Sequence, residues 1–305
     1  MSDHGLAIGR IALAALANIA FSIAVGSALV ERWLAVEGAL PSSAPSHTAW
    51  QRARGSLIAA ALVLVLAYAG WLLYQTASMS GTGLRAAIGF VPMVLRETHV
   101  GQAWCIAFGG AVLLFFAAIA SSGGRFGQAA FWVAVAVAAA GRASIGHAGD
   151  AGPWSAAVGI HAIHVFATAV WGGIVLAGGL AVLPALDAST TRGTLIRVAG
   201  RLSKTSLIAF GVVVLTGALN AERALGGTLA PLQASGWGHV LTLKLSLVLL
   251  AVLLGGLNRL SALPRLRRTA STMDAHTFNN VLHLEALVMI GIFIAAAVLA
   301  NSAPG

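Results

Sequence analysis

Residues 99–120 read HVGQAWCIAFGGAVLLFFAAIA, a run without a single Asp, Glu, Lys or Arg. An α-helix rises about 1.5 Å per residue, so roughly 20 such residues cross the ~30 Å hydrocarbon core of a membrane. The whole chain of 305 residues is 58% hydrophobic and only 9% charged, whereas a soluble domain carries about 25% charged residues. This composition excludes a soluble enzyme, a disordered chain and a nucleic-acid-binding module, and it predicts a polytopic membrane protein.

Seven further stretches resemble residues 99–120 in length and hydrophobicity. The sequence therefore predicts an all-α bundle of eight transmembrane helices, which forms a single domain over residues 1–305. The spans are predicted near residues 7–30, 56–77, 99–120, 126–144, 157–183, 205–221, 239–260 and 281–300. The apolar stretch 83–95 is short and contains Pro92, so we expect a surface or re-entrant piece there rather than a ninth span.

The distribution of Lys and Arg predicts the orientation of this bundle. Eight spans place both termini on one side of the membrane, and five cations fall on that side against twelve on the other, with Lys244 inside a span. Loops rich in Lys and Arg stay in the cytoplasm. We therefore expect both termini outside the cytoplasm.

Histidine is the informative residue type, because the chain has 9 of them, as many as its acidic residues. This topology maps six histidines to the outer ends of the helices, and these are His4, His99, His147, His161, His164 and His239. Imidazole is the commonest metal ligand in proteins. The sequence predicts a metal site at the outer end, although histidine also suits the membrane interface without any ligand role.

The densest group is the Gly-rich segment that carries His147, followed by His161 and His164. Residues three apart share a face of an α-helix, so His161 and His164 are expected side by side just below the outer surface. The segment with His147 is expected to fold back over them and supply a further ligand. A hydrogen-bonded histidine pair at a helix start is the competing interpretation.

A separate copper site is predicted at the amino terminus. If Met1 is removed, the terminal amine of Ser2, two backbone nitrogens and the imidazole of His4 form a set of four nitrogens. Square-planar nitrogen ligation is typical of Cu(II) or Ni(II). This prediction fails if Met1 is retained.

A few polar or sulfur-containing residues inside the spans are candidates for an ion path. Cys105, Met289 and Glu285 are expected along a path inward, and Glu285 and His283 are expected close to the inner surface. Lys244 is expected either to reach outward along its helix or to limit the free passage of cations. Glu285 has a structural alternative as the partner of an internal cation.

Several of these features resemble the copper-resistance D family of bacterial inner-membrane proteins. They are the eight spans, Gly146-His147-Ala148, and His161-x-x-His164 leading into Ala169-Val170-Trp171-Gly172-Gly173. The last helix with Glu285 and the tail Leu299-Ala300-Asn301-Ser302-Ala303-Pro304 complete the resemblance. The family motif is carried onto His147, His161, His164, Trp171 and Glu285, with Trp171 in the path or its gate.

The resemblance implies a multi-pass inner-membrane protein that binds copper and imports it from the periplasm to the cytoplasm. Both termini would then be periplasmic. It also implies a separate periplasmic copper-binding partner of the CopC type beside the lipid bilayer, and no nucleic acid. The copper oxidation state and the oligomeric state stay open.

Two other functions stay open at this point. Histidines at similar depth, such as His99, His161 or His164, and His239, are able to serve as the axial pair of a bis-histidine haem oxidoreductase. A copper-delivery or oxidase-assembly factor that binds the metal without translocating it is the third candidate. No acid/base or nucleophile motif stands out, so we expect that the chain is not an enzyme.

Overall fold

The computed structural model describes residues 3–120, 124–146, 149, 152, 155–225 and 235–302. Within these residues the chain is helical and contains no strand. Eight helices are long and apolar enough to cross a membrane, which confirms the predicted all-α polytopic bundle.

The helices are numbered here in chain order, with 3₁₀ and π segments named separately. The α-helices are α1 (Asp3–Val36), α2 (His47–Ser80), α3 (Leu84–Ala87), α4 (Val91–Glu97), α5 (His99–Ala120), α6 (Arg125–Ile145), α7 (Ala156–Leu176), α8 (Arg192–Leu225), α9 (Gly236–Leu257), α10 (Leu263–Thr269) and α11 (Thr272–Ala300). The 3₁₀ segments are Ile88–Phe90, Leu183–Leu186 and Ser189–Thr191, and the π segments are Ala177–Val182 and Asn258–Ala262. The stretch predicted as a surface or re-entrant piece forms the short helices α3 and α4 and is mostly exposed.

Several helices extend beyond the predicted spans, mainly at the cation-rich end of the bundle. The helix α1 continues to Val36, α2 begins at His47, and α11 begins at Thr272 instead of near residue 281. A span prediction detects only the apolar part of a helix, whereas the backbone hydrogen bonds continue until a residue interrupts them. Glu285 consequently lies 13 residues, or roughly 20 Å, from the start of α11, and its expected position close to the inner surface stays a prediction.

The centre of the bundle is formed by α1 and α7, which are the most buried spans, while α8 and α9 are the least buried. A Cβ atom on Gly173 of α7 would lie 1.9 Å from the carbonyl oxygen of Ser22 in α1. Only glycine permits this approach, as is common where membrane helices cross. The consecutive helices α8 and α9 do not pack along their lengths within the described residues; α8 packs on α7 and α9 packs on α11.

Ion pairs hold the cation-rich end together. Glu37 accepts from Arg201 at 2.7 Å and also pairs with Arg197, which joins the end of α1 to α8. Glu31 of α1 pairs with Arg54 of α2 at 3.2 Å. All five residues lie outside the spans predicted from the sequence.

Candidate metal-binding site

The imidazoles of His161 and His164 lie between α7 and α8 rather than toward lipid. Their ring centroids are 6.2 Å apart and their planes differ by 13°. On α8, Asn220 Nδ2 lies 3.3 Å from His161 Nδ1, and Thr216 Oγ1 lies 2.9 Å from His164 Nδ1. Metal–imidazole bonds are about 2.0–2.1 Å long, so one ion contacts both rings only where a nitrogen of each ring turns toward it.

The hydroxyl of Thr216 favours one tautomer of His164. Thr216 Oγ1 lies 2.7 Å from the carbonyl oxygen of Val212, one turn back on its own helix, and donates its hydrogen there. In this arrangement the same oxygen accepts from His164 Nδ1 at 2.9 Å. A neutral ring protonated at Nδ1 keeps an unprotonated Nε2, which is the form that binds a metal, and Thr216 would hold the ring as an outer-shell partner does in metal sites.

Two cations act on this pair of imidazoles. Arg142 and Lys244 interact electrostatically with His161, and Lys244 interacts with His164 as well. Lys244 forms no hydrogen bond or ion pair with any of the residues that the structure describes, whereas Arg142 Nε donates to Asn18 Oδ1 at 3.4 Å. Positive charges beside a cation site oppose binding, and less so for a singly charged ion.

Gly149, which follows α6, lies close to His99 at the start of α5. A Cβ atom on Gly149 would lie 2.5 Å from His99 Cε1. His147, the further ligand expected for His161 and His164, lies outside the described residues. His4 and His239 are exposed, and the amine of Ser2 that was expected to join His4 also lies outside the described residues. Among the residues that are described, no group of three or more His, Cys, Asp or Glu side chains is positioned for a metal ion.

A second polar feature lies deeper in the bundle, at Glu285. This residue is 4% exposed and lines a cavity of about 150 Å³. Trp171 and Phe210 also line the cavity, and their rings meet edge to face with centroids 5.1 Å apart. A Cβ atom on Gly255 would lie 3.1 Å from Glu285 Oε1, so the absence of a side chain at Gly255 leaves room for the carboxyl group.

The other candidates for an ion path lie at separate places in the bundle. Cys105 is exposed on α5, and His283 is exposed on α11 with Nδ1 3.4 Å from the carbonyl oxygen of Gly179. Met289 is fully buried, and its sulfur would lie 3.5 Å from a Cβ atom on Gly172. Met289 thus packs beside Trp171, one turn along α11 from Glu285.

Sequence reasoning missed the partners on α8. Thr216 and Asn220 contact the imidazoles, and Phe210 and Ser206 line the inner cavity. The available signal was that Ser206, Thr216 and Asn220 are polar residues within an otherwise apolar span, where polar groups usually have a role. Their spacing also places them on one side of the helix, but only the packing of α8 on α7 pairs them with the histidines.

These features define a polytopic helical membrane protein with an imidazole pair at one end and a buried carboxyl group deeper in the bundle. Residues 1–157 match the family described as Copper resistance protein D-like, N-terminal domain, and residues 196–299 match Copper resistance protein D. The chain therefore belongs to the copper-resistance D family and is a multi-pass protein of the bacterial inner membrane. Comparison with curated proteins and with solved structures finds no match.

The family assignment connects the chain with copper resistance, and the matched descriptions name no enzymatic reaction. The matched stretches leave out residues 158–195, which contain His161, His164 and Trp171. The roles of these three residues are therefore inferred from their geometry. A haem axial pair needs imidazoles on facing helices, and the groups of α8 that face His161 and His164 are Asn220 and Thr216.

Proposed function

We propose that this protein binds copper at its periplasmic end through His161 and His164 and imports it into the cytoplasm. The observation that supports the proposal is the position of the two imidazoles between α7 and α8, where the contact of Thr216 with His164 Nδ1 favours the tautomer with an unprotonated Nε2. A further ligand is expected from His147, His99, His239 or His4. The copper ion is the transported substrate.

The direction of transport rests on the charge distribution of the chain. Twelve Lys and Arg residues fall at the end of the bundle opposite the termini and five at the terminal end, so the positive-inside rule assigns the histidine-bearing end to the periplasm. A copper ion that enters there meets His161 and His164 first and Trp171 about two turns deeper along α7. A periplasmic copper-binding protein of the CopC type is the expected donor.

The proposal is tested by copper binding and uptake with the purified protein in liposomes. We expect His161→Ala and His164→Ala each to weaken copper binding by more than the 10–100-fold typical of outer-shell changes, and to reduce uptake. His276→Ala is the matched control because His276 is exposed near the opposite end of the bundle. Equal losses in all three variants, or no loss in the first two, would show that the pair is structural.

The same experiment distinguishes the alternatives. A delivery or assembly factor binds copper through the same residues but moves none into the liposomes. A haem protein shows a Soret band when purified, and this band would depend on the histidines instead of added copper. His47→Ala is a less clean control than His276→Ala, because His47 stacks on Trp50 and contacts the carbonyl oxygen of Ala39.

A further inference from the structure

Two facing rows of side chains lead from the imidazole pair toward the Glu285 cavity. On α7, His161, His164, Thr168 and Trp171 follow one another at spacings of three and four residues and therefore share one face. Contacts with α8 occur at three levels, namely His161 with Asn220, His164 with Thr216, and Trp171 with Phe210. Trp171 lies seven residues from His164, or roughly 10 Å along the axis.

Hydroxyl groups without partners lie along these rows on both sides of the aromatic contact. Thr168 Oγ1 and Ser206 Oγ are buried and have no hydrogen-bond partner in the described part of the chain. Thr168 lies on α7 between His164 and Trp171, and Ser206 lines the cavity together with Glu285. Unpaired buried hydroxyls are costly in free energy. They are available to an ion or a water molecule that passes between the imidazole pair and the Glu285 cavity.

Glu285 has no polar partner in the part of the chain that the structure describes. The structure shows no hydrogen bond or ion pair for its carboxyl group among the described residues, although the residue is 4% exposed. Aromatic and aliphatic side chains form most of the cavity wall. An ionised carboxylate in such surroundings is strongly disfavoured unless a cation accompanies it, so the group takes up a proton when no cation is present.

The other charged groups near the cavity have partners of their own. Arg259 is the other charged residue that lines it, and its Nη1 donates to the carbonyl oxygen and the hydroxyl of Ser203, a lining residue as well, at 3.2 and 2.9 Å. On α11, His283 is exposed. Glu31 of α1 and Glu37, which follows the end of α1, pair with arginines.

We propose that Glu285 holds a proton in this cavity and releases it when the transported copper ion arrives, so that copper and a proton exchange at one carboxyl group. In this step the O–H bond of the carboxyl group breaks, the proton leaves to solvent, and a carboxylate oxygen binds the copper ion without any change in oxidation state. The step rests on the proposed copper transport. It would couple copper import to an outward movement of protons, since metal binding to a protonated ligand releases the proton.

The resident occupant is a proton rather than a metal because the ligand set is small. The cavity offers the Glu285 carboxyl group, with the hydroxyl of Ser206 as a further oxygen donor. A tightly held metal requires several converging ligands, whereas a proton requires one. Ser206 and Glu285 therefore form a transient binding site for copper. Trp171 and Phe210 separate this site from the outer imidazoles.

Infrared difference spectroscopy tests the protonation state directly. At pH 7.5 we expect a carboxylic acid C=O band in the copper-free wild-type protein, its loss in Glu285→Gln, and its retention in Glu222→Gln, whose site is exposed on α8. Glu285→Asp should shift the band and serves if the Gln variant fails to fold. Absence of the band from the copper-free wild type, or its retention in Glu285→Gln, would overturn the proposal.

Flux measurements in liposomes with an internal pH-sensitive dye test the coupling. Copper uptake by the wild type should move about one proton per copper ion in the opposite direction, and copper binding should remove the infrared band. The variant Glu285→Gln should keep copper binding at the outer imidazoles and lose both the copper flux and the proton flux. Copper uptake without proton movement, or uptake by Glu285→Gln at the wild-type rate, refutes the exchange and leaves the transport function standing. A wild type that neither binds nor carries copper refutes the transport function and the exchange together, even if the infrared band is present.

Discussion

Thr216 offers the sharpest test of the outer site, because it touches His164 without being a metal ligand itself. Its hydroxyl accepts from His164 Nδ1 at 2.9 Å and donates to the carbonyl oxygen of Val212 at 2.7 Å. Thr216→Val keeps the shape of the side chain and removes the acceptor. The imidazole is then free to place its proton on Nε2 or to rotate, and both changes compete with metal binding.

The expected effect follows from the role of such outer-shell partners. Their loss typically costs 10–100-fold in metal affinity, which corresponds to about 1.4–2.8 kcal/mol at 1.4 kcal/mol per tenfold change. The loss of a single neutral hydrogen bond contributes about 0.5–1.5 kcal/mol of this. Copper affinity is measured on purified protein by competition with a chromophoric chelator, in separate titrations of the reduced and the oxidised ion.

Two variants serve as controls. Thr216→Ser keeps the hydroxyl and should bind copper nearly as the wild type does. Thr242→Val removes a comparable hydroxyl on α9, which donates to the carbonyl oxygen of Gly238 at 2.9 Å, and should leave the affinity unchanged. Wild-type affinity in Thr216→Val would refute the argument that this hydrogen bond prepares His164. Equal weakening in Thr216→Ser would show that the methyl group, through packing, is what matters.

Three further predictions concern charge, orientation and packing. Lys244→Gln should tighten copper binding in the same competition assay, because the ammonium group acts on both imidazoles and opposes a second positive charge; unchanged affinity would contradict this. Reporter fusions at Pro304 and Arg267 should report periplasm and cytoplasm respectively, and a cytoplasmic signal at Pro304 would reverse the assignment of the outer site. Gly173→Ala should lower the free energy of unfolding by about 1–3 kcal/mol or more, since its Cβ would lie 1.9 Å from the carbonyl oxygen of Ser22. An unaltered melting temperature would contradict this close approach of α1 and α7.

The last helix shows where a sequence-based prediction of helix bounds fails. Hydropathy places the start of the last span near residue 281. The helix begins at Thr272 with a cap in which Ser271 Oγ accepts from the backbone nitrogen of Asp274. The polar first turns of α11 are helical because their backbone and capping hydrogen bonds are satisfied, and hydrophobicity carries no information about that.

The sequence by itself determined the class of the protein and the number of its spans. Long uncharged runs such as residues 99–120 have one stable solution in a membrane, because every backbone polar group must be paired within the segment. The spacing of His161 and His164 also determined that they share a helix face, since this is a property of local backbone geometry.

Only the tertiary structure decided what those side chains face. The pairing of His164 with Thr216 joins residues 52 positions apart in the chain, and Gly255 makes room for Glu285 although α9 and α11 are separated by α10. Such contacts depend on which helices pack together and on their rotation. In a bundle of uniformly apolar helices these are decided by close-packed small residues such as Gly173 and by a few polar contacts. Hydrophobic periodicity does not decide them, because lipid and protein interior are equally apolar.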